Sequence, residues 1–140
     1  MNISGKWKGY YEFGEGYMLP YFGEKVEFEA QFYQDSQGRI KGIITELPSK
    51  FSIQYQSTLE GFIEDGVISF IKRYPNTPEI NDEFEKTTHR SGNLEVNYGG
   101  IIDEDNDALY GVWSIQEEFI NHLGHNDVSF SAGIWLLKRF

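Results

Sequence analysis

The connections between strand-like segments of this chain alternate in length from one end to the other. Eight segments of period two can be read along the 140 residues. The long connections cover residues 14–24, 48–57, 75–91 and 117–127, and the short ones 36–38, 65–66 and 103–107. In an up-and-down antiparallel sheet every second connection lies at the same end. The tight turns therefore gather at one end and the long loops at the other. If such a sheet closes on itself it is a cup with a plain base and an elaborate rim, and a barrel of this size admits a ligand at the rim.

The side-chain pattern supports strands. Val26, Phe28, Ala30 and Phe32 share one face opposite Lys25, Glu27, Glu29 and Gln31. Gly5, Trp7, Gly9, Tyr11 and Phe13 share another, as do Leu59, Gly61 and Ile63, and again Leu94, Val96 and Tyr98. Further strands are expected near 39–47, 67–74, 108–116 and 128–139. In the last three both faces are apolar, so the inward face stays open. Ile115, Phe119 and Leu123 fall at i, i+4 and i+8 and allow a short helix over 116–123. Glycines within strands (Gly9, Gly42, Gly61, Gly99, Gly100, Gly111 and Gly133) mark the bends that a small closed barrel needs. Closure also removes the edge strands that an open sheet must protect. The expected fold is all-β: a closed up-and-down antiparallel β-barrel of about eight strands, with residues 1–140 as one domain.

Composition narrows the function classes. Eleven Phe, nine Tyr and three Trp suit a β protein, and the absence of cysteine removes disulfides, thiolate metal sites and a Cys nucleophile. A net charge of −10 argues against nucleic-acid backbones and anionic membranes as partners. No apolar run approaches the roughly 18 residues of a membrane helix. Met1 and Asn2 lead directly into a strand with no apolar leader, so a cytoplasmic protein is expected.

Gly5-Lys6-Trp7 opens the first strand, and Arg139 ends the last within Trp135-Leu136-Leu137-Lys138-Arg139. This combination resembles the calycin superfamily of lipocalins, fatty-acid-binding proteins and avidins. The resemblance covers the strand pattern of the whole chain, and its specific motif is these three residues. It implies a lipocalin-like barrel whose base is plugged by Gly5 and Trp7, with Arg139 packed across the indole. A guanidinium over a Trp face is a favourable cation–π pair. The chain departs from named families within that group. The Thr-Asp-Tyr motif of secreted lipocalins is lacking, and no helix pair follows the first strand. The opening is also similar to nitrobindin-type haem barrels in Gly5-Lys6-Trp7-Lys8-Gly9-Tyr10-Tyr11. Tyr11 stands where that family has a third glycine, and neither His122 nor His125 has the context of its haem ligand.

Few constellations carry chemistry. Asp103, Asp105 and Asp107 have the 1-3-5 spacing of a calcium loop, but Ala108 and Ser114 stand where its Gly and bidentate Glu belong, which favours a solvated turn. His122 and His125, with Asp127, Glu117 and Glu118 nearby, have spacing for a divalent metal. The polar surroundings favour a plain loop, and neither metal nor haem is expected. His89 would need a carboxylate partner to act as a general base. Glu46 shares parity with Ile40, Gly42 and Ile44 and is expected to point inward near the rim. Arg73 would join it if Val67, Ser69 and Ile71 face inward. Such a pair is either a structural plug or an anchor for a ligand carboxylate, and the structural role is favoured because unpaired inward charges are costly.

The favoured function is a small-molecule-binding barrel for an apolar or aromatic ligand at the long-loop end. Its expected lining is Tyr11, Phe13, Phe28, Ile44, Glu46, Leu59, Arg73, Leu94, Tyr98 and Trp113, with Val26 and Ile115 close by. Tyr17, Tyr21, Phe22 and Phe119 would form a lid. One alternative is a barrel filled by its own side chains that meets a protein partner through its rim loops. The other is an enzyme using Glu46, His89, Tyr98 or Arg73 for acid–base work. No catalytic residue is assigned, and the sequence specifies no oligomeric state.

Overall fold

The computed structural model describes the chain except for residues 54, 76, 81–85 and 90–93; of residues 77–80, 86–89 and 119 it describes the backbone alone. Eight strands form the barrel: β1 (Gly5–Phe13), β2 (Lys25–Gln34), β3 (Arg39–Glu46), β4 (Ser57–Glu64), β5 (Val67–Arg73), β8 (Glu95–Asp103), β9 (Ala108–Ile120) and β10 (Asn126–Arg139). Their order, β1-β10-β9-β8-β5-β4-β3-β2, closes because β1 pairs with both β2 and β10. All pairings are antiparallel. The third long connection adds β6 (Thr77–Ile80) and β7 (Lys86–His89), which pair with each other as a separate two-stranded sheet.

Local sequence explains the tight end. Asp65 and Gly66 both adopt positive φ, 51° and 78°, which gives the two-residue hairpin turn whose twist matches its flanking strands. At the same end Trp7 and Arg139 are register partners. Trp7 is fully buried, and its Nε1 donates to the Ile3 carbonyl at 2.8 Å. The Arg139 guanidinium lies 4.5 Å from the indole centroid. It also donates to the carbonyls of Ser4 (3.1 Å) and Asn2 (3.0 Å) and to the Asp107 carboxylate (3.2 Å). Gly5 sits at φ 124°, where a side chain would be strained. One arginine thus ties the chain's two ends together over the base.

The inward faces left open by the sequence are Ile68, Phe70 and Lys72 on β5, Leu109 and Trp113 on β9, and Trp135 and Leu137 on β10. Arg73 therefore faces outward, opposite to the expected orientation, and pairs on the surface with Glu95 at 2.7 Å. Ser69 and Val67 lie on that outer face with it, while the larger aromatic Phe70 fills the core.

The short helix allowed over 116–123 is not formed. β9 continues as strand to Ile120, paired residue for residue with β10 as far as Asn126. Asn121 organises the turn: its side-chain oxygen accepts from the amides of Leu123 (3.0 Å) and His125 (3.1 Å). An isolated two-turn helix is marginal in water, and a continuing ladder that satisfies every second backbone group outcompetes it.

Candidate ligand-binding site

In the barrel interior, toward the ends of β3 and β5 that lead into long loops, lies a buried ion pair. Glu46 ends β3, and Lys72, on β5, is completely buried. Lys72 Nζ is 3.0 Å from Glu46 Oε2, and the Tyr74 hydroxyl donates to the same oxygen. Oε1 accepts from the Tyr11 hydroxyl and from the Ile53 amide, each at 2.8 Å. The carboxylate therefore receives four hydrogen bonds. The ammonium is ringed by Tyr74, Tyr11, Phe28 and Tyr98, with centroids 4.5, 4.9, 5.5 and 5.9 Å away.

The electrostatics follow from this packing. Burial acts to raise the Glu46 pKa, but the Lys72 charge and the hydrogen bonds from Tyr74, Ile53 and Lys72 bring it below the usual carboxylate value. Burial lowers the Lys72 pKa, and Glu46 opposes that change. Tyr11, Tyr74 and Tyr98 are all pushed well up, first by burial and then by neighbouring negative charge.

Above this layer, at the long-loop end, is a cavity of about 160 Å³. Its aromatic walls are Tyr11, Phe13, Tyr17, Tyr74, Tyr98 and Trp113. Ile53, Leu94, Val96 and Ile115 complete the apolar lining, and Glu117, Ser129 and Ser131 supply polar groups. Trp113 is held by an Nε1 hydrogen bond to the Glu12 carbonyl at 3.1 Å, and by edge-to-face contacts with Tyr11 and Phe13. Tyr17 leans on Phe13 with centroids 4.8 Å apart. Among the described residues every enclosed side-chain polar atom has a partner, whereas the Tyr98 hydroxyl has no hydrogen bond to any of them.

Of the ten residues expected to bind a ligand, Tyr11, Phe13, Leu94, Tyr98 and Trp113 line the cavity. Glu46 lies just beneath it, bonded to two of its tyrosines. Phe28, Ile44 and Leu59 are buried but belong to the packed interior below, as does Val26. Arg73 is on the outer surface. Among the expected lid residues, Tyr17 walls the cavity and Tyr21 is buried against Phe13 and Phe51. Phe22 instead points to solvent. The side chains of His89 and Phe119 lie outside the described residues. His122 and His125 are exposed on the β9–β10 turn, and no group of three metal-ligating side chains converges among the described residues.

The sequence reading passed over Lys72 and Tyr74. A signal was present: Ser69 and Arg73 share parity on β5, so Lys72 falls on the face with Ile68, Phe70 and Tyr74. A lysine on an otherwise apolar face points to a buried acidic partner, and Glu46 was the inward acid already identified.

The chain matches no model of a known protein family, and a comparison with curated proteins finds no match.

Proposed function

We propose that this protein is a calycin-like barrel that binds a small, largely apolar molecule carrying an aromatic ring, in the cavity at its long-loop end. The observation that carries this reading is the cavity itself: about 160 Å³, walled by six aromatic side chains, with Glu117, Ser129 and Ser131 as polar lining. Apolar walls with a few convergent polar groups are the usual make-up of a small-molecule site. A cavity of roughly 150 Å³ takes up a benzene-sized guest. The part of the ligand held inside therefore has about the size of a single ring. The Gly5, Trp7 and Arg139 base supports the calycin likeness.

Binding is favoured over catalysis because Glu46, the acid beneath the cavity, is occupied by four donors, Lys72 among them. It behaves as a structural anchor that holds Tyr11 and Tyr74 in place. The test is calorimetric titration with benzyl alcohol, followed in parallel by tryptophan fluorescence. One-to-one saturation is expected. The fluorescence change should vanish in Trp113→Phe, since Trp7 and Trp135 are buried away from the cavity. Absence of binding by any single-ring probe, neutral or charged, overturns the reading and leaves the filled barrel with a protein partner.

A further inference from the structure

We infer that the preferred ligand is a protonated amine on a compact apolar body, with its ammonium group at Glu117 and its body against Trp113 and Tyr98. This rests on the ligand-site reading above and adds the charge of the ligand to it. The cavity wall contains one carboxylate, Glu117, and no Lys or Arg among the described residues. Glu117 has no ion-pair partner there, and its backbone carbonyl already accepts from the Ser129 hydroxyl at 3.5 Å. The carboxylate is thus free to receive a donor from the cavity. Among the described residues, Lys72 lies below the lining and is neutralised by Glu46.

The remaining wall favours a cation as well. A cation within about 6 Å of an aromatic face is attracted to it, Trp most strongly, and six of the wall residues are aromatic. Ser129 and Ser131 add hydroxyl oxygens that accept from an ammonium. Negative charge on the wall is also felt by Tyr17, whose pKa is raised by burial, held back by a hydrogen bond with Ser131, and raised further by Glu117. A carboxylate ligand would meet Glu117 with no opposing cation among the described wall residues. The chain's net charge of −10 adds a long-range field of the same sign, which draws cations toward it.

Three isosteric probes test the inference: benzylamine, benzyl alcohol and benzoate, titrated calorimetrically into the full chain at neutral pH and low salt. Benzylamine should bind about tenfold more tightly than benzyl alcohol, with benzoate weakest, as expected of a charge-assisted contact supplemented by cation–π attraction. In Glu117→Gln, checked for an unchanged near-ultraviolet circular dichroism spectrum, the amine-to-alcohol affinity ratio should fall to about one. A wild-type protein that takes benzyl alcohol as well as benzylamine overturns the inference and leaves the ligand site standing. So does an amine preference that survives in Glu117→Gln. Failure of all three probes overturns the ligand-site reading, and this inference with it.

Discussion

A lysine and a glutamate buried inside a small barrel lose their hydration, and only mutual contact and complete hydrogen bonding offset that loss. Here the hydrogen bonding is complete: Glu46 accepts hydrogen bonds from Lys72, Tyr74, Tyr11 and the Ile53 amide. Truncating one partner should be far worse than replacing both. Glu46→Leu and Lys72→Met are each expected to cost about 3–5 kcal/mol, because each leaves the other charge buried and alone. The double variant should cost less than the sum of the singles by roughly 1–3 kcal/mol, the signature of direct coupling. Urea denaturation of the four proteins measures this cycle, and strict additivity would show that the pair is not coupled. At the base, Trp7→Ala removes a fully buried indole and should cost about 3–5 kcal/mol by the same measurement.

The strands owe their curvature to glycines where backbones cross closely. A Cβ on Gly133 would run into the Glu12 carbonyl oxygen and the Trp113 ring. One on Gly9 would meet the Leu136 carbonyl. Gly133 therefore does two things: it lets β10 coil against β1, and it leaves room for the indole that walls the cavity. Gly133→Ala is expected to destabilise the protein by about 1–3 kcal/mol or more, as overpacking does. It should also shift the Trp113 emission, because the ring cannot keep its place. Gly99, where an added Cβ meets nothing, is the internal control. Gly99→Ala should leave the emission unchanged. The β9–β10 hairpin shows the opposite influence on an element. Its cross-strand ladder carries 116–120 as strand despite apolar residues at helical spacing, because pairing partners are in reach along the whole length of β10.

For the molecule as a whole, the buried titratable groups define a pH window. Glu46 has a folded pKa below its ordinary 4.5, so its contribution is present above that value and is lost as pH falls through the folded pKa. Protonating it strands Lys72 in the core. Tyr11, Tyr74 and Tyr98 have folded pKa values raised above 10.0, so their contribution is complete below pH 10.0 and disappears as pH rises further. Lys72, lowered from 10.5, works in the other sense just below that value, but it is one group against three. Stability measured by urea midpoint should therefore be flat through neutrality and fall at both extremes. In an alkaline titration followed at the phenolate absorbance, these three tyrosines should ionise only as the barrel unfolds. Their early ionisation in a folded protein would contradict the burial described here.

Much of the architecture follows from sequence alone. Period-two alternation, turn residues such as Asp65-Gly66 and the rhythm of loop lengths specify antiparallel strands with both kinds of connection sorted to opposite ends. These signals are local, because a strand's pleat and a tight turn's φ angles are properties of a few adjacent residues. Gly5, Trp7 and Arg139 could likewise be placed at the base, since closure brings the two chain ends together. The interior of the molecule was not legible in the same way. β5 is apolar on both faces, and a shift of one residue exchanges Arg73 for Lys72 as the inward cation. That choice depends on which face packs Phe70 against Tyr98 and Trp135, and on Glu46 being within reach from another strand. The cavity belongs to the same category. Volume left between side chains from four strands and three connections is a difference of packing across the whole barrel, and only the assembled structure determines it.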